Sequence, residues 1–421
     1  MIRPLSISLS PNTEADDVWA ALCLYVQPWR WKKGEAIEQF EQEFKEYLGL
    51  SHAVSFNSGR SAFLAILDSL ALRKGDDVLI QAFTCNAVPN PILWSGLQPV
   101  YVDCNEDYNM SPEDLEQKIT LRQAQGGRPR VVVVQHTFGF PADMDRILEV
   151  CKKHNLVLLE DCAHALGATY KGKKVGTFGK AAFFSFSRDK VISCVYGGMA
   201  ATSDVALAGK IREFQKEAGY PSFLWIKQQV LHPWLMNLLI LPTYRIFGKY
   251  LLIVAQQIHM LSKAVHKKEK RGKQPGYFPK ALPNVLAILA LCQLKKVDRF
   301  NLHRRQIAAL YSQALSDTSY KLQDTKYQEG NIFLRFPVQH EKAHEIIKEA
   351  RKKNLLLGDW YTTPIAPHDT QIEKLGYEWG SCPEAEKLAK TTLNLPTHIR
   401  ISEKEANKVV QFLKSFQTYS R

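Results

Sequence analysis

None of the eight cysteines belongs to a CxxC pair, and no His, Cys, Asp or Glu spacing follows a metal-binding pattern. Cys23, Cys85, Cys104, Cys151, Cys162, Cys194, Cys292 and Cys382 mostly stand in apolar strand or helix contexts, so they read as buried free thiols of a reducing compartment. This excludes a disulfide scaffold, and no metal is expected. Met1 to Asp17 lacks a basic stretch followed by an apolar one, so no secretory signal is expected and the location reads as cytoplasmic. Low-complexity tracts and internal repeats are also missing, which excludes solenoids and long disordered tails. No apolar run is long enough to span a bilayer. Gln228 to Tyr244 is free of Lys, Arg, Asp and Glu, but its 17 residues include His232, Pro233, Asn237 and Pro242.

The net charge of +13 is confined. Residues 221–280 contain ten Lys/Arg against the single acid Glu269, so +9 of the +13 lies there and the rest is nearly balanced. A general polyanion-binding surface is therefore not expected, nor is a nucleic-acid partner.

The 421 residues suggest two or three lobes. Short apolar runs alternate with helical stretches at Ala53–Phe56, Val78–Ala82, Pro99–Val102, Arg130–Gln135, Leu156–Glu160, Ala181–Ser187 and Gly198–Thr202. That pattern predicts an α/β fold with a mostly parallel sheet covered on both faces. Residues 35–48 carry Ile37, Phe40, Phe44 and Leu48 on one helical face. A single long helix is expected from about Pro283 to Leu315, followed by a smaller α+β lobe. The expected domains are 1–220, an apolar and basic helical insertion at 221–280, and 281–421.

Three stretches carry chemistry. After Phe56, Asn57-Ser58-Gly59-Arg60-Ser61 leads a strand into a helix, a turn suited to an anion: Gly59 permits close approach, while the Arg60 and Ser61 amides and the Ser61 hydroxyl are candidate donors. An ordinary capped helix would look the same. Asp161 ends the apolar strand Leu158-Leu159-Glu160 and needs a cationic partner or a proton, although a strand-end Asp also caps helices. Phe184-Ser185-Phe186-Ser187-Arg188-Asp189-Lys190 delivers two serines and a lysine from a strand. A buried lysine is driven towards the neutral amine that can form a Schiff base. The order matters more than any one part: anion turn, strand-end Asp, then lysine 29 residues after Asp161.

In that order, and in the stretches Gly139 to Asp145, Glu160-Asp161-Cys162-Ala163-His164, Ser185 to Lys190 with Gly197-Gly198, Cys382 to Lys387 and Leu395-Pro396, the chain resembles the DegT/DnrJ/EryC1/StrS sugar aminotransferases, a branch of the fold-type-I pyridoxal-phosphate (PLP) enzymes. The resemblance covers most of 10–215 and 280–418. It implies a large domain with a mostly parallel seven-stranded sheet between helices, plus a smaller α+β C-terminal domain. It implies that Lys190 carries PLP, that Asp161 pairs with the pyridinium nitrogen, and that His164 lies near the ring hydroxyl. Ser185 and the amides of Arg60 and Ser61, beside Gly59, would bind the phosphate. It implies a homodimer, an amino donor that is commonly glutamate, and a keto-sugar acceptor, nucleotide- or lipid-linked, in surface-polysaccharide or glycolipid synthesis. A dehydratase on the same scaffold is the alternative enzyme, and a non-catalytic membrane-surface protein the alternative outside catalysis; Lys190 favours amino transfer.

The chain departs from the family at three places. Family members place a ring-stacking aromatic after Phe-Thr, where Phe83-Thr84 is followed here by Cys85. A Tyr-Asn-Tyr-Arg stretch that reaches the neighbouring subunit corresponds to Phe278-Pro279-Lys280-Ala281, without the Asn and Arg, and Arg60 is the candidate replacement cation. The third is 221–280. Either it is a helical hairpin packed on the enzyme or its dimer partner, or it rests peripherally on the inner membrane surface. In the second case Trp225, Trp234, Leu235, Leu238, Leu239, Phe247, Leu251 and Leu252 enter the headgroups, and Lys263, Lys267, Lys268, Lys270, Arg271 and Lys273 meet anionic lipid. His136, His398 and the 358–363 run are further candidates for lining the site.

Overall fold

The structure is a computed structural model and describes residues 4–323 and 330–418, so the outer domain limits at Met1 and Arg421 lie outside the described residues. Seven strands form the central sheet: β1 (His52–Phe56), β2 (Asp77–Gln81), β3 (Gln98–Val102), β4 (Pro129–Gln135), β5 (Val157–Asp161), β6 (Ala181–Ser185) and β7 (Gly198–Thr202). Their order is β1-β7-β6-β5-β4-β2-β3. β7 runs antiparallel to β1 and β6, and every other pairing is parallel.

The continuous apolar runs follow from burial on both faces. Ile80, Val131, Val133 and Leu159 pack with Ile66 and Phe63 on one side, while Leu79, Val132, Val134 and Leu158 pack with Leu115, Ile119 and Ile147 on the other. Because β7 is reversed, its first residue Gly198 lies opposite both Phe56, which ends β1, and Ser185, which ends β6. A Cβ on Gly198 would fall 2.3 Å from the Ser58 carbonyl group, so the turn after β1 can approach only because this residue is glycine.

The C-terminal lobe has a three-stranded antiparallel sheet of Lys321–Leu322, Phe336–Gln339 and Thr392–Leu395. Leu5–Ser6 pairs in parallel with Leu355–Leu356, which ties the chain's start to this lobe. Thr84–Cys85 pairs in parallel with Ile365–Ala366 and joins the two lobes beside the cavity described below.

The single helix expected from Pro283 to Leu315 is instead two, Asn284–Leu294 and Val297–Leu315. The first is buried nearly all round. The break comes where Gln293 donates to Asn12 O and Asp17, and Lys296 reaches Glu14, Asp16 and Asp17. Those contacts turn the chain outward, and an amphipathic helix begins.

Residues 221–280 form a bent helical pair. Phe223–Trp234 contains Pro233 and runs on into a π-helical turn, Leu235–Ile240; Tyr244–Gly248 and Lys249–Gln257 return at 109° to it. No single described helix is long and apolar enough to cross a membrane. Leu231, Leu235, Met236, Ile240, Leu241, Ala255 and Leu261 pack together on the inner side. The outer side exposes Leu238, Leu239, Ile246, Phe247, Tyr250, Ile253, Val254 and Ile258. Of the apolar residues expected at a headgroup region, Leu238, Leu239 and Phe247 are exposed, whereas Trp225 and Leu235 are buried by the inward packing.

Candidate active site

A cavity of about 210 Å³ opens at the carboxyl ends of β5 and β6. Parallel strands deliver their C-terminal residues to one edge, which is where ligands gather in such sheets. Gly59, Arg60, Cys85, Asp161, His164, Ser185 and Lys190 all line it.

Ser61 does not. It is fully buried, its amide donates to Ser58 Oγ at 3.1 Å, and its hydroxyl donates to Asn57 Oδ1 at 2.7 Å. The helix Gly59–Ser69 is capped by Ser58, and the cap and Asn57 consume the two Ser61 donors expected to meet an anion. Ser58 and Gly59 themselves face the cavity. A Cβ on Gly59 would fall 3.0 Å from Ser185 Cβ, and Ser185 Oγ lies 3.3 Å from Ser187 Oγ, so the two serines and the glycine turn form one polar corner.

Asp161 is buried, and its Oδ1 accepts the Ala163 amide at 2.9 Å. Burial raises its carboxyl to about 6. Lys190 lies deep in the molecule, and its remaining accessible surface faces the cavity. Burial pulls its amine down to about 8, partly offset by Asp161. At pH 7.5 roughly a quarter of such an amine is neutral, against about 0.1% for an ordinary lysine. The backbone holds the side chain in place: Asn12 Nδ2 donates to Lys190 O at 2.5 Å, and the Lys190 amide donates to Ser187 O at 3.1 Å.

His164 is buried and driven well below the ordinary histidine value by that burial, so its ring is neutral. Nδ1 accepts the Phe138 amide at 3.4 Å, which leaves Nε2–H facing the Tyr361 oxygen at 3.4 Å. Cys85 is half-buried, and its thiol is pushed up by burial, so it is uncharged.

The 358–363 run does reach the cavity. Asp359, Trp360, Tyr361 and Thr362 line it, the Trp360 ring stacks on His164 at 5.1 Å, and Lys190 Nζ lies 4.7 Å from the Trp360 ring. His136 and His398 lie elsewhere. His136 Nδ1 accepts the Ala142 amide at 3.1 Å and Nε2–H faces Glu160 at 3.2 Å, while His398 bonds to Ser6 O at 2.8 Å. His136, Glu160 and Cys162 cluster closely enough to suggest metal ligands, but the Glu160 carboxylate already accepts the Gly176, Phe178 and Gly179 amides, each at 2.7 Å.

Sequence reasoning gave no role to Ser58, Ser187, Arg188, Asp189, Thr84 or Gln135, all of which line the cavity. Three of these sit inside the Ser185–Lys190 stretch, so their spacing was a usable signal. It also missed that residues 262–269 roof the cavity. Ala264 and Val265 line it, Glu269 forms an ion pair with Arg60, Ser262 accepts from Arg188, and the Tyr196 hydroxyl donates to the carbonyls of Lys263 and Ala264. Arg60 is thus a paired residue rather than a free replacement cation. Glu269, the one acid in a segment of +9, was the available clue.

The sequence profile of DegT/DnrJ/EryC1/StrS aminotransferases matches residues 15–226 and 253–414. The chain belongs to that family. It is a PLP-dependent aminotransferase. The profile leaves out 227–252, most of the bent helical pair. The chain is 27% identical over 391 residues to the spore coat polysaccharide biosynthesis protein SpsC of Bacillus subtilis, covering 91% of this chain and 90% of that one. It is 26% identical over 394 residues to the GDP-perosamine synthase of Escherichia coli O157:H7, covering 92% of each. Among solved structures, Helicobacter pylori PseC superposes with a TM-score of 0.75 at 22% identity, covering 99% of this chain and 100% of that one. The aminotransferase residues present fit PLP: a buried carboxylate with no cation in salt-bridge contact among the described residues, an amine with a neutral fraction, and hydroxyl and amide groups at a glycine turn.

Proposed function

We propose that this aminotransferase moves an amino group from an amino acid, glutamate, to a keto sugar carried by a nucleotide or a lipid, in surface-polysaccharide or glycolipid synthesis. The meeting of Lys190, Asp161 and the Ser58–Gly59 and Ser185 corner in one cavity carries the reading. The sugar acceptor is supported by the GDP-perosamine synthase and the spore coat polysaccharide protein, each similar over nearly its whole length.

Lys190 would carry the cofactor, with Asp161 for its ring nitrogen and His164 for its ring hydroxyl. Ser185, Gly59 and the Arg60 amide would hold its phosphate, and Cys85 would line the place of the ring. When bound, PLP supplies an electrophilic carbonyl and a ring that accepts electrons. Lys190 removes the proton from the donor Cα as a base and returns a proton as an acid. Its lowered amine value suits both roles near neutral pH. His164 orients through hydrogen bonds and adds no charge. Asp161, unpaired and costly at neutral pH, gains most from a cationic ring nitrogen.

The chain acts as a homodimer, for which Trp19, Val26, Trp29, Phe223 and Leu224 offer exposed apolar surface. Residues 221–280 rest on an anionic lipid surface. The eight exposed apolar side chains of the outer face, with Lys263, Lys267, Lys268, Arg271 and Lys273 exposed in the same segment, support this at about 1 kcal/mol per cation.

An absorbance spectrum with added PLP, then L-glutamate, tests the chemistry. The wild type is expected to show a visible band that bleaches with glutamate, and Lys190→Ala no such band; a wild type without a band removes the assignment. Flotation with phosphatidylglycerol and phosphatidylcholine vesicles tests the surface. Phe247→Asp floating as the wild type does on phosphatidylglycerol would sink the lipid contact.

A further inference from the structure

We propose that Arg188 is the phosphate-recognising cation of this cavity, the part that the ion-paired Arg60 does not play; the inference rests on the site reading above.

Arg60 is committed elsewhere. Its guanidinium forms the ion pair with Glu269, whose side chain is fully buried; Nη2 donates to Ala264 O at 3.2 Å, and the group lies 4.8 Å from the Phe278 ring. The pair is neutral as a unit, so it offers little charge to a ligand.

Arg188 has no such ion pair. It is 9% exposed and lines the cavity, and no carboxylate forms an ion pair with it among the described residues. Nη2 donates to Ser262 Oγ, which donates onward to Gln229 Oε1 at 2.7 Å, and the guanidinium lies 5.4 Å from the Tyr196 ring. Its Nε–H is buried with no acceptor among the described residues. A buried donor left unmet costs free energy, and a buried guanidinium costs more. A phosphate dianion supplies both charge and acceptors, and the guanidinium fork matches it.

The position agrees. Arg188 follows Ser185 and Ser187 on the same turn and precedes Lys190 by two residues. Tyr196, beneath its guanidinium, donates at 3.2 Å to the Ala264 carbonyl that also accepts from Arg60, next to Gly59. Arg188 thus follows the serines of the serine–glycine corner in the chain and packs on the Tyr196 ring, whose hydroxyl shares the Ala264 carbonyl with Arg60. The phosphate is either that of the cofactor or that of a phosphorylated acceptor.

The test compares dissociation constants of wild type, Arg188→Gln and Arg188→Lys for PLP, for pyridoxal, which lacks the phosphate, and for uridine diphosphate on the PLP-loaded protein. Loss of a charge-assisted bond predicts roughly a 10- to 100-fold weaker PLP constant in Arg188→Gln with pyridoxal unchanged. A loss confined to uridine diphosphate assigns the residue to the acceptor's phosphate instead. Arg188→Lys keeps a charge without the fork, so it should fold if glutamine does not, and the ratio of its PLP constant to its pyridoxal constant should rise above the wild-type value by less than in Arg188→Gln. Wild-type constants for all three ligands in whichever variant folds overturn the proposal. A wild type that gives no visible band with PLP removes the site reading as well, whereas a wild-type band with unchanged variants removes this inference alone.

Discussion

Asp161→Asn should stabilise the cofactor-free protein at neutral pH while weakening its hold on PLP. Burial holds the Asp161 carboxyl at about 6, against an ordinary 3.8. Between those values the folded protein keeps a proton that the unfolded chain has released, so stability falls as pH rises from about 4 to 6. The loss is nearly complete by pH 7.5, where 1.36 kcal/mol per pH unit makes it about 3 kcal/mol, against about 1 kcal/mol at pH 4.5. An asparagine carries no charge, and its side-chain oxygen can still accept the Ala163 amide, now at 2.9 Å. The variant should therefore be more stable than wild type by up to about 3 kcal/mol at pH 7.5, with the gain shrinking by about 2 kcal/mol at pH 4.5. Lys190, at about 8, is about a quarter neutral at pH 7.5 and almost fully charged at pH 4.5, so its own titration adds only about 0.2 kcal/mol between the two. Urea unfolding of both cofactor-free proteins at the two pH values measures the difference, and a PLP titration measures the binding loss. A variant less stable than wild type at both pH values, or a difference that ignores pH, refutes the reasoning.

Lys190 should capture PLP at a rate that climbs with pH around a midpoint near 8, since burial depresses its amine to about that value; a rate that stays flat until pH 10, followed by stopped-flow absorbance, would contradict this. Glu269→Gln leaves the buried Arg60 guanidinium unpaired and should cost about 3 kcal/mol in urea unfolding at pH 7.5; a loss below about 0.5 kcal/mol would show the pair to be a weak surface contact. Gly198→Ala puts a methyl group 2.3 Å from the Ser58 carbonyl and should push the Ser58–Gly59 turn away, weakening PLP binding at least tenfold; wild-type affinity would mean that the turn does not contribute to the site.

The parts of this molecule that were legible in the sequence are those decided by local pattern. Each sheet strand is a continuous apolar run, so its burial on two faces showed directly. Asp161 ends one parallel strand and Lys190 follows the end of its neighbour by five residues, and such ends converge by topology. What escaped was decided across long separations. Arg60 meets Glu269 209 residues away, and no local rule pairs them. Ser61 looked like an anion donor because the helix start was visible, but which serine caps and which faces outward depends on χ angles and on Asn57. The Asn284–Leu294 helix was run into the next one because the Lys295-Lys296 break is made by acids near residue 14. His398 was a reasonable site candidate until the N-terminal strand supplied Ser6 O as its partner.

The insertion joins two roles that a deletion would confuse. Its outer face exposes Ile246, Phe247 and Tyr250, while its return segment places Ser262, Ala264 and Glu269 against Arg188, Tyr196 and Arg60. The Arg188–Ser262–Gln229 chain links that segment to the Phe223–Trp234 helix, so the roof of the cavity and the arm that carries the apolar face are one packed unit. Removing 221–280 would strip the proposed lipid contact and at the same time leave two guanidinium groups without their partners. Such a protein would lose cofactor whether or not it ever met a membrane. Phe247→Asp separates the two effects: it changes an exposed side chain on the outer face, far along the chain from the 262–269 contacts, and should abolish flotation on phosphatidylglycerol while leaving the visible PLP band and its bleaching by glutamate intact. A variant that loses the band along with flotation would show that the outer face is itself needed to hold the roof, and the arm would then be a structural brace of the active site.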